Sequence, residues 1–234
     1  MEIVKFTLSG QGASFTRPHF NSVISSYSHI HKVALLGLLG AIIGIDKNNN
    51  VPEKEPLFYE KLKNLKVSIV PYKEKFFSKN DTIVESTGFF NKDGSNYIPT
   101  YENLINPCWD IYIMKNENEY YEDIKDKLLN KEAVFFPYLG RNHWFANIDN
   151  VKVYEGDITE DFDKIDSLFI SENIETEKEI ICFGKRVYFK EYMPIGFNET
   201  LKQYKEMPFL FTNDRVVNNN EKLISCDNRV LYFF

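Results

Sequence analysis

Residue types able to do chemistry crowd into two short segments of this 234-residue chain. The first carries Arg17, His19, Tyr27, His29, His31 and Lys32, directly before an uncharged run from Val33 to Ile45. The second is Gly140-Arg141-Asn142-His143-Trp144-Phe145. Cations, imidazoles and aromatic rings in such company suit two chemistries. One is recognition of single-stranded RNA, whose splayed bases stack on aromatic rings while Arg and backbone N–H groups take phosphates. The other is metal-free RNA cleavage, with histidine as general acid or base on a 2′-hydroxyl and a cation stabilising the developing phosphorane. A metal centre is poorly served. His29 and His31 lie two apart and face one way in an extended loop, but neither a cysteine nor a close carboxylate offers a third ligand. Plainer readings stand beside these: hydrogen-bonded imidazoles in the first segment, and a turn with Trp144 and Phe145 in the core in the second. A third cluster, Lys185, Arg186 and Lys190 interleaved with Phe183, Tyr188 and Phe189, either tracks a phosphate backbone or is a half-exposed strand.

The elements that must position these groups can be read from pattern. Glu2 to Leu8 alternates Val4, Phe6 and Leu8 with Lys5 and Thr7, as a half-buried strand does. Ser9 to Ser26 is rich in Gly, Ser, Asn and Pro and reads as a loop. Lys32 to Ile45 reads as a helix with Gly37, Gly40 and Gly44 on one face, stopped by the polar tract Asp46 to Asn50 and by Pro52. Each glycine costs roughly 1 kcal/mol against alanine in a helix interior, so something must approach that face closely. A tightly packed sheet would do so, and so would a phosphodiester backbone drawn to the free N–H groups of the helix start.

Further on, Pro56 to Leu65 reads as a short helix, Val67 to Val70 as a strand, and Tyr72 to Thr100 as a projecting hairpin or long loop. A strand around Trp109 to Ile113, a helix from Glu119 to Leu129 and a strand from Ala133 to Tyr138 follow. The order strand, helix, strand, strand, helix, strand up to about Asn150 is the split βαβ, or ferredoxin-like, arrangement. After Val151 the texture changes to an acidic tract and then to short strands around residues 180–189, 207–212 and 230–234. The expected fold class is therefore α+β, with residues 1–150 as one domain and 151–234 as a small β-rich C-terminal part.

Phe6-x-Leu8-x-Gly10-x-x-Ala13-x-Phe15, then Ser26-Tyr27, then Ala34 to Ile42 (ALLGLLGAI), resembles the N-terminal signature of the CRISPR-associated Cas-five family of the RAMP superfamily. Pro137-Tyr138-Leu139-Gly140-Arg141 is similar to the family's later tyrosine-leucine-glycine element, and Asn106 to Ile113 resembles its central strand. The resemblance implies a ferredoxin-like, RRM-like palm with an inserted β-hairpin thumb, here at about residues 72–100. It implies a non-catalytic subunit of a type I Cascade complex, most like subtype I-B, that binds and caps the 5′ handle of the crRNA. Its implied partners are that crRNA, the Cas-seven backbone subunit, the large subunit and, through the complex, target DNA. The RNA-binding residues would be Arg17, His19, Tyr27, His29, His31, Lys32, Gly37, Gly40, Arg141, Asn142 and His143, with Lys185 and Arg186. Relatives of subtype I-C cut precursor RNA with a tyrosine ten residues before the helix glycine, as Tyr27 stands before Gly37, and with a lysine-histidine pair from the hairpin region. Residues 72–100 contain no histidine, and His29-Ile30-His31-Lys32 departs from the family's usual threonine-proline-serine run.

Composition bounds these readings. The net charge of −6 disfavours a surface that grips nucleic acid everywhere. Ten acids against two lysines between Glu155 and Glu179 account for that sign, which leaves the first segment free to face RNA. The 13-residue apolar run Val33–Ile45 is short of the roughly 20 residues a membrane helix needs, and the start carries no secretory signal, so a cytoplasmic protein with no membrane contact is expected. Cys108, Cys182 and Cys226 are too few and too far apart for a disulfide framework or a zinc site. Neither cofactor nor metal is expected. A metal-independent endoribonuclease processing precursor crRNA, and a protein-only scaffold, remain the alternatives.

Overall fold

In the computed structural model, the described residues are 1–18, 23–46, 55–72, 100–172, 174–177, 186–198 and 203–234, with the backbone of 79–83, 86–90 and 96–97. The chain begins with strands β1 (Glu2–Ser9), β2 (Gly12–Ala13) and β3 (Val23–Ile24), then helices α1 (Lys32–Ile43) and α2 (Leu57–Leu62). Strands β4 (Lys66–Pro71), β5 (Lys79–Ile83), β6 (Ser86–Phe90), β7 (Asn96–Tyr97), β8 (Thr100–Ile105) and β9 (Cys108–Met114) precede α3 (Tyr121–Leu129) and β10 (Asn147–Glu155). The remainder is all strand: β11 (Asp157–Thr159), β12 (Phe169–Ile170), β13 (Ile174–Glu177), β14 (Tyr188–Phe197), β15 (Tyr204–Thr212), β16 (Arg215–Asn219), β17 (Leu223–Cys226) and β18 (Arg229–Tyr232). The fold is α+β, mostly sheet with few helices.

The central sheet has the order β10-β1-β9-β4, and every neighbouring pair is antiparallel. Its pleat sorts side chains by face. Val4, Phe6 and Leu8 of β1 join the main core with α1, whereas Ile3 belongs to a second cluster with Tyr112, Ile224 and Leu231 on the other face. That second face also buries charge. Asp110, fully buried, accepts from Thr7 Oγ1 at 2.8 Å and from Arg229 Nη1 at 2.7 Å, with Lys5 Nζ 3.5 Å away. Opposite charges satisfied in this way fix β18 against the sheet, since an unpaired buried carboxylate would be prohibitive.

Helix α1 packs against α2, α3 and β14 and buries Leu35, Leu36, Leu38, Leu39 and Ile42, while Ala34, Gly37 and Ala41 are only partly covered. A β-carbon on Gly40 would stand 2.9 Å from Phe58 Cβ and one on Gly37 3.6 Å from its ring, so the neighbour that needs the glycines is Phe58 of α2. The helix ends at Gly44 in the left-handed conformation (φ 83), before the polar tract expected to stop it.

Two expectations need correcting. Residues 133–138 are not a strand. Val134 N and Phe135 N donate to Ile42 O and Ala41 O, at 2.9 and 3.1 Å, and so tie the segment to the last turn of α1. The sheet's fourth strand is β10, whose edge position leaves many of its residues exposed. The acidic tract, whose composition reads as a solvated linker or a partner-facing surface, is folded into the structure. It contributes β11, β12 and β13, and Ile165, Leu168, Phe169, Ile170 and Ile174 between its acids are buried. Position 150, where the sequence texture shifts, lies inside β10. In the stretch 72–100, β6 pairs antiparallel with β7, and β5 pairs with β8.

Candidate functional site

The entrance loop closes on itself before reaching α1. Arg17 N donates to Ser25 O at 2.9 Å and Tyr27 N to Phe15 O at 2.8 Å, so the arms run side by side. His31 is the N-cap of α1: its Nδ1 accepts from Ala34 N at 3.2 Å, a task usually given to Ser, Thr, Asp or Asn. The ring is 4% exposed and meets Phe15, Tyr27 and Tyr204 edge-on. Burial lowers its pKa to about 3, so it stays neutral at ordinary pH. His29 is equally buried and its Nδ1 accepts from Trp109 Nε1 at 3.1 Å.

The other groups of this segment also turn inward. Tyr27 is buried and donates its hydroxyl to Glu206; burial, then that carboxylate, pushes its pKa above the ordinary tyrosine range. Arg17 pairs with Glu191 and lies over the Tyr27 ring, 5.1 Å from its centroid. Lys32 is buried, and desolvation followed by the nearby Lys66 charge lowers its pKa to about 8. The sequence reading has these side chains facing RNA, whereas the structure makes most of them core. Their partners Glu191 and Glu206 lie more than 170 residues from Arg17 and Tyr27, beyond any local sequence signal. His19 and Lys185 lie outside the described residues. Arg186 is spent on Asp214, with Nε 2.8 Å from Oδ1.

The second segment is open. Leu139 N donates to Trp144 O at 2.7 Å, Trp144 N to Arg141 O at 2.9 Å and Ala146 N to Pro137 O at 3.0 Å, which folds 137–146 into a tight turn. Gly140 has φ 84, and a β-carbon there would fall 1.9 Å from Ser14 O, so both conformation and space demand glycine. Asn142 and His143 are exposed, and the Arg141 guanidinium lies 3.5 Å from the centre of the Tyr101 ring. Around them Phe136 is 84% and Phe145 61% exposed, their rings 6.3 Å apart. Large aromatics so displayed call for a binding partner. The sequence does not single out Tyr101 or Phe136, although the run Val134-Phe135-Phe136 lies within the stretch that reads as a strand.

The two segments meet. Ser14 N donates to Leu139 O at 3.0 Å, and a groove of about 850 Å³ has Ala34, Gly37 and Ala41 of α1 on one wall and Phe136, Tyr138 and Gly140 on the other. Gly37 therefore borders both Phe58 and open space. Among the described residues no group of His, Cys, Asp and Glu is arranged to hold a metal ion, and no helix is long and apolar enough to cross a membrane.

This fold is that of CRISPR-associated proteins. A chain of a CRISPR RNA-guided surveillance complex superposes with a TM-score of 0.52 at 12% identity, over 91% of each chain. A CRISPR protein from Archaeoglobus fulgidus gives 0.53 at 12% identity, over 99% of this chain and 98% of its own. No curated protein matches. The family model described as CRISPR-associated protein (Cas_Cas5) matches residues 3–195, and the chain belongs to that family.

Proposed function

We propose that the protein is a non-catalytic RNA-binding subunit of a type I CRISPR Cascade complex, of the I-B kind, that holds the 5′ handle of the crRNA. Family membership supports the effector role, and one observation carries the RNA reading: the open 137–146 turn joins a guanidinium, an amide, an imidazole and stacking rings at the mouth of the α1 groove. Stacking and backbone contacts read single-stranded RNA in this way, and guide pairing supplies target specificity. On this reading residues 1–150 are a ferredoxin-like palm, since β10-β1-β9-β4 is the strand order of a split βαβ sheet. The β5–β7 region is its thumb, and the β-rich remainder braces the sheet. Contact with the Cas-seven backbone and the large subunit, and action in the cytoplasm, belong to the same proposal.

The burial of His29 and His31 supports binding rather than turnover, because neither ring is exposed where RNA could reach it. Exposed His143 favours one second reading, a metal-independent endoribonuclease. Incubating the purified chain with repeat RNA in EDTA separates the two, with intact RNA expected. The proposal itself is tested by isolating the assembled complex and sequencing the RNA that accompanies it. A uniform set of 5′ handles supports it, and a complex free of RNA overturns it.

A further inference from the structure

We propose that Glu191 is an internal stand-in for a phosphate: Arg17 and Ser28 form a site for a phosphodiester of single-stranded RNA, and the Glu191 carboxylate fills it until RNA takes its place. The inference rests on the RNA-binding reading above and adds a site to it. Three donors of the entrance loop converge on this one side chain of β14. Ser28 N donates to Oε2 at 3.0 Å, Ser28 Oγ lies 3.4 Å from Oε1, and the Arg17 guanidinium pairs with Oε1. A backbone amide, a hydroxyl and a guanidinium are the donors that hold phosphate oxygens elsewhere. The Glu191 side chain is only 9% exposed, so the carboxylate sits in the site rather than over it.

The fit is incomplete in a way that points outward. Among the described residues Arg17 Nε is buried without a hydrogen-bond partner, so the guanidinium fork, built for two oxygens, is used there along one edge only. Beside it lies a cavity of about 490 Å³ lined also by Lys190 and Tyr192, both exposed. Lys190 offers a second cation and Tyr192 a stacking face. Glu206 holds the Tyr27 hydroxyl, which keeps the ring beneath Arg17 in place while Glu191 leaves. Exchange of one anion for another leaves Arg17 paired throughout, and the cavity gives the released carboxylate access to water.

The test uses the full chain and a fluorescent eight-nucleotide oligouridylate at fixed low salt. Glu191→Gln keeps the size of the side chain and removes its charge. It is expected to bind the RNA about tenfold tighter than the wild type, roughly one charge-assisted hydrogen bond. The gain is expected to vanish when Arg17→Ala is added. Where the wild type binds the RNA, equal or weaker binding by a folded Glu191→Gln protein, judged by circular dichroism, overturns the proposal. Should that variant not fold, Glu191→Asp, which draws the carboxylate back from Ser28, is expected to bind two- to threefold tighter, and unchanged binding overturns the proposal equally. Inorganic phosphate separates the two readings. If neither wild type nor variant binds RNA, yet phosphate raises the melting temperature of Glu191→Gln alone, the RNA reading fails and the Glu191-filled anion site stands.

Discussion

The entrance loop and the 137–146 turn hold the same residue types and meet opposite fates. In the loop, Tyr27, His29, His31 and Lys32 are buried, and Arg17 is turned onto Glu191. In the turn, Asn142, His143 and Phe145 face solvent, with Phe136 exposed beside them, and Arg141 lies over the Tyr101 ring. Residue type and spacing nominate both segments, and tertiary partners decide which becomes scaffold and which becomes surface. The loop holds the start of α1, and Leu139 of the turn is hydrogen-bonded to Ser14 beside it, so the open site rests on the closed one.

Breaking the seam between the two should cost most. Gly140→Ala must abandon a left-handed conformation and a contact with Ser14 O, so a loss of roughly 3 kcal/mol in urea unfolding is expected. Stability equal to wild type would mean that the turn does not depend on the loop. His31 comes next. His31→Ala removes a cap and a buried ring and should cost about 2–3 kcal/mol, whereas His31→Asn, which can still cap, should recover about 1 kcal/mol of that. Equal losses would show that His31 is packing alone.

The same pair of variants sharpens the comparison through pH. His31 titrates near 6.5 when unfolded and at about 3 when folded, so the unfolded chain binds its proton first as pH falls. The stability held above pH 6.5 is lost progressively toward pH 3, and His31→Asn should flatten that part of a melting-temperature profile. An unaltered profile would place the acid sensitivity elsewhere.

Changes on the open side should leave stability within about 0.5 kcal/mol and act on RNA instead. Arg141→Ala is expected to weaken handle binding about tenfold, with a shallower salt dependence. Phe145→Ala should weaken it by roughly 1 kcal/mol through lost stacking. If either variant unfolds the protein while binding persists, the roles assigned to the two regions are reversed.

The sequence showed the elements whose pattern and packing agree. The alternation of Val4, Phe6 and Leu8 marks β1, and an apolar run ending in glycine marks α1. It misled where hydrophobicity serves the surface. Val134, Phe135 and Phe136 look like a strand and are exposed, while β10, with Asp149, Lys152 and Glu155, shows no strand pattern and forms the sheet's edge. An edge strand needs few buried side chains, so its pattern fades. The acidic tract misled for the converse reason, because a few buried apolar residues among ten acids anchor β12, β13 and the segment before them. Within the site, the spacing of Gly140 and Arg141 pointed to the right turn. The carboxylates that draw Arg17 and Tyr27 inward lie on β14 and β15, a pairing only the folded chain makes.

Ultraviolet crosslinking of handle RNA to the assembled complex, followed by tryptic mapping, tests the central claim most directly. Crosslinks are expected in the peptides Glu132–Arg141 and Asn142–Lys152, which carry Phe136, Tyr138, His143 and Phe145. Crosslinks confined to other peptides of this chain would contradict the assignment of the open turn as its RNA-holding surface.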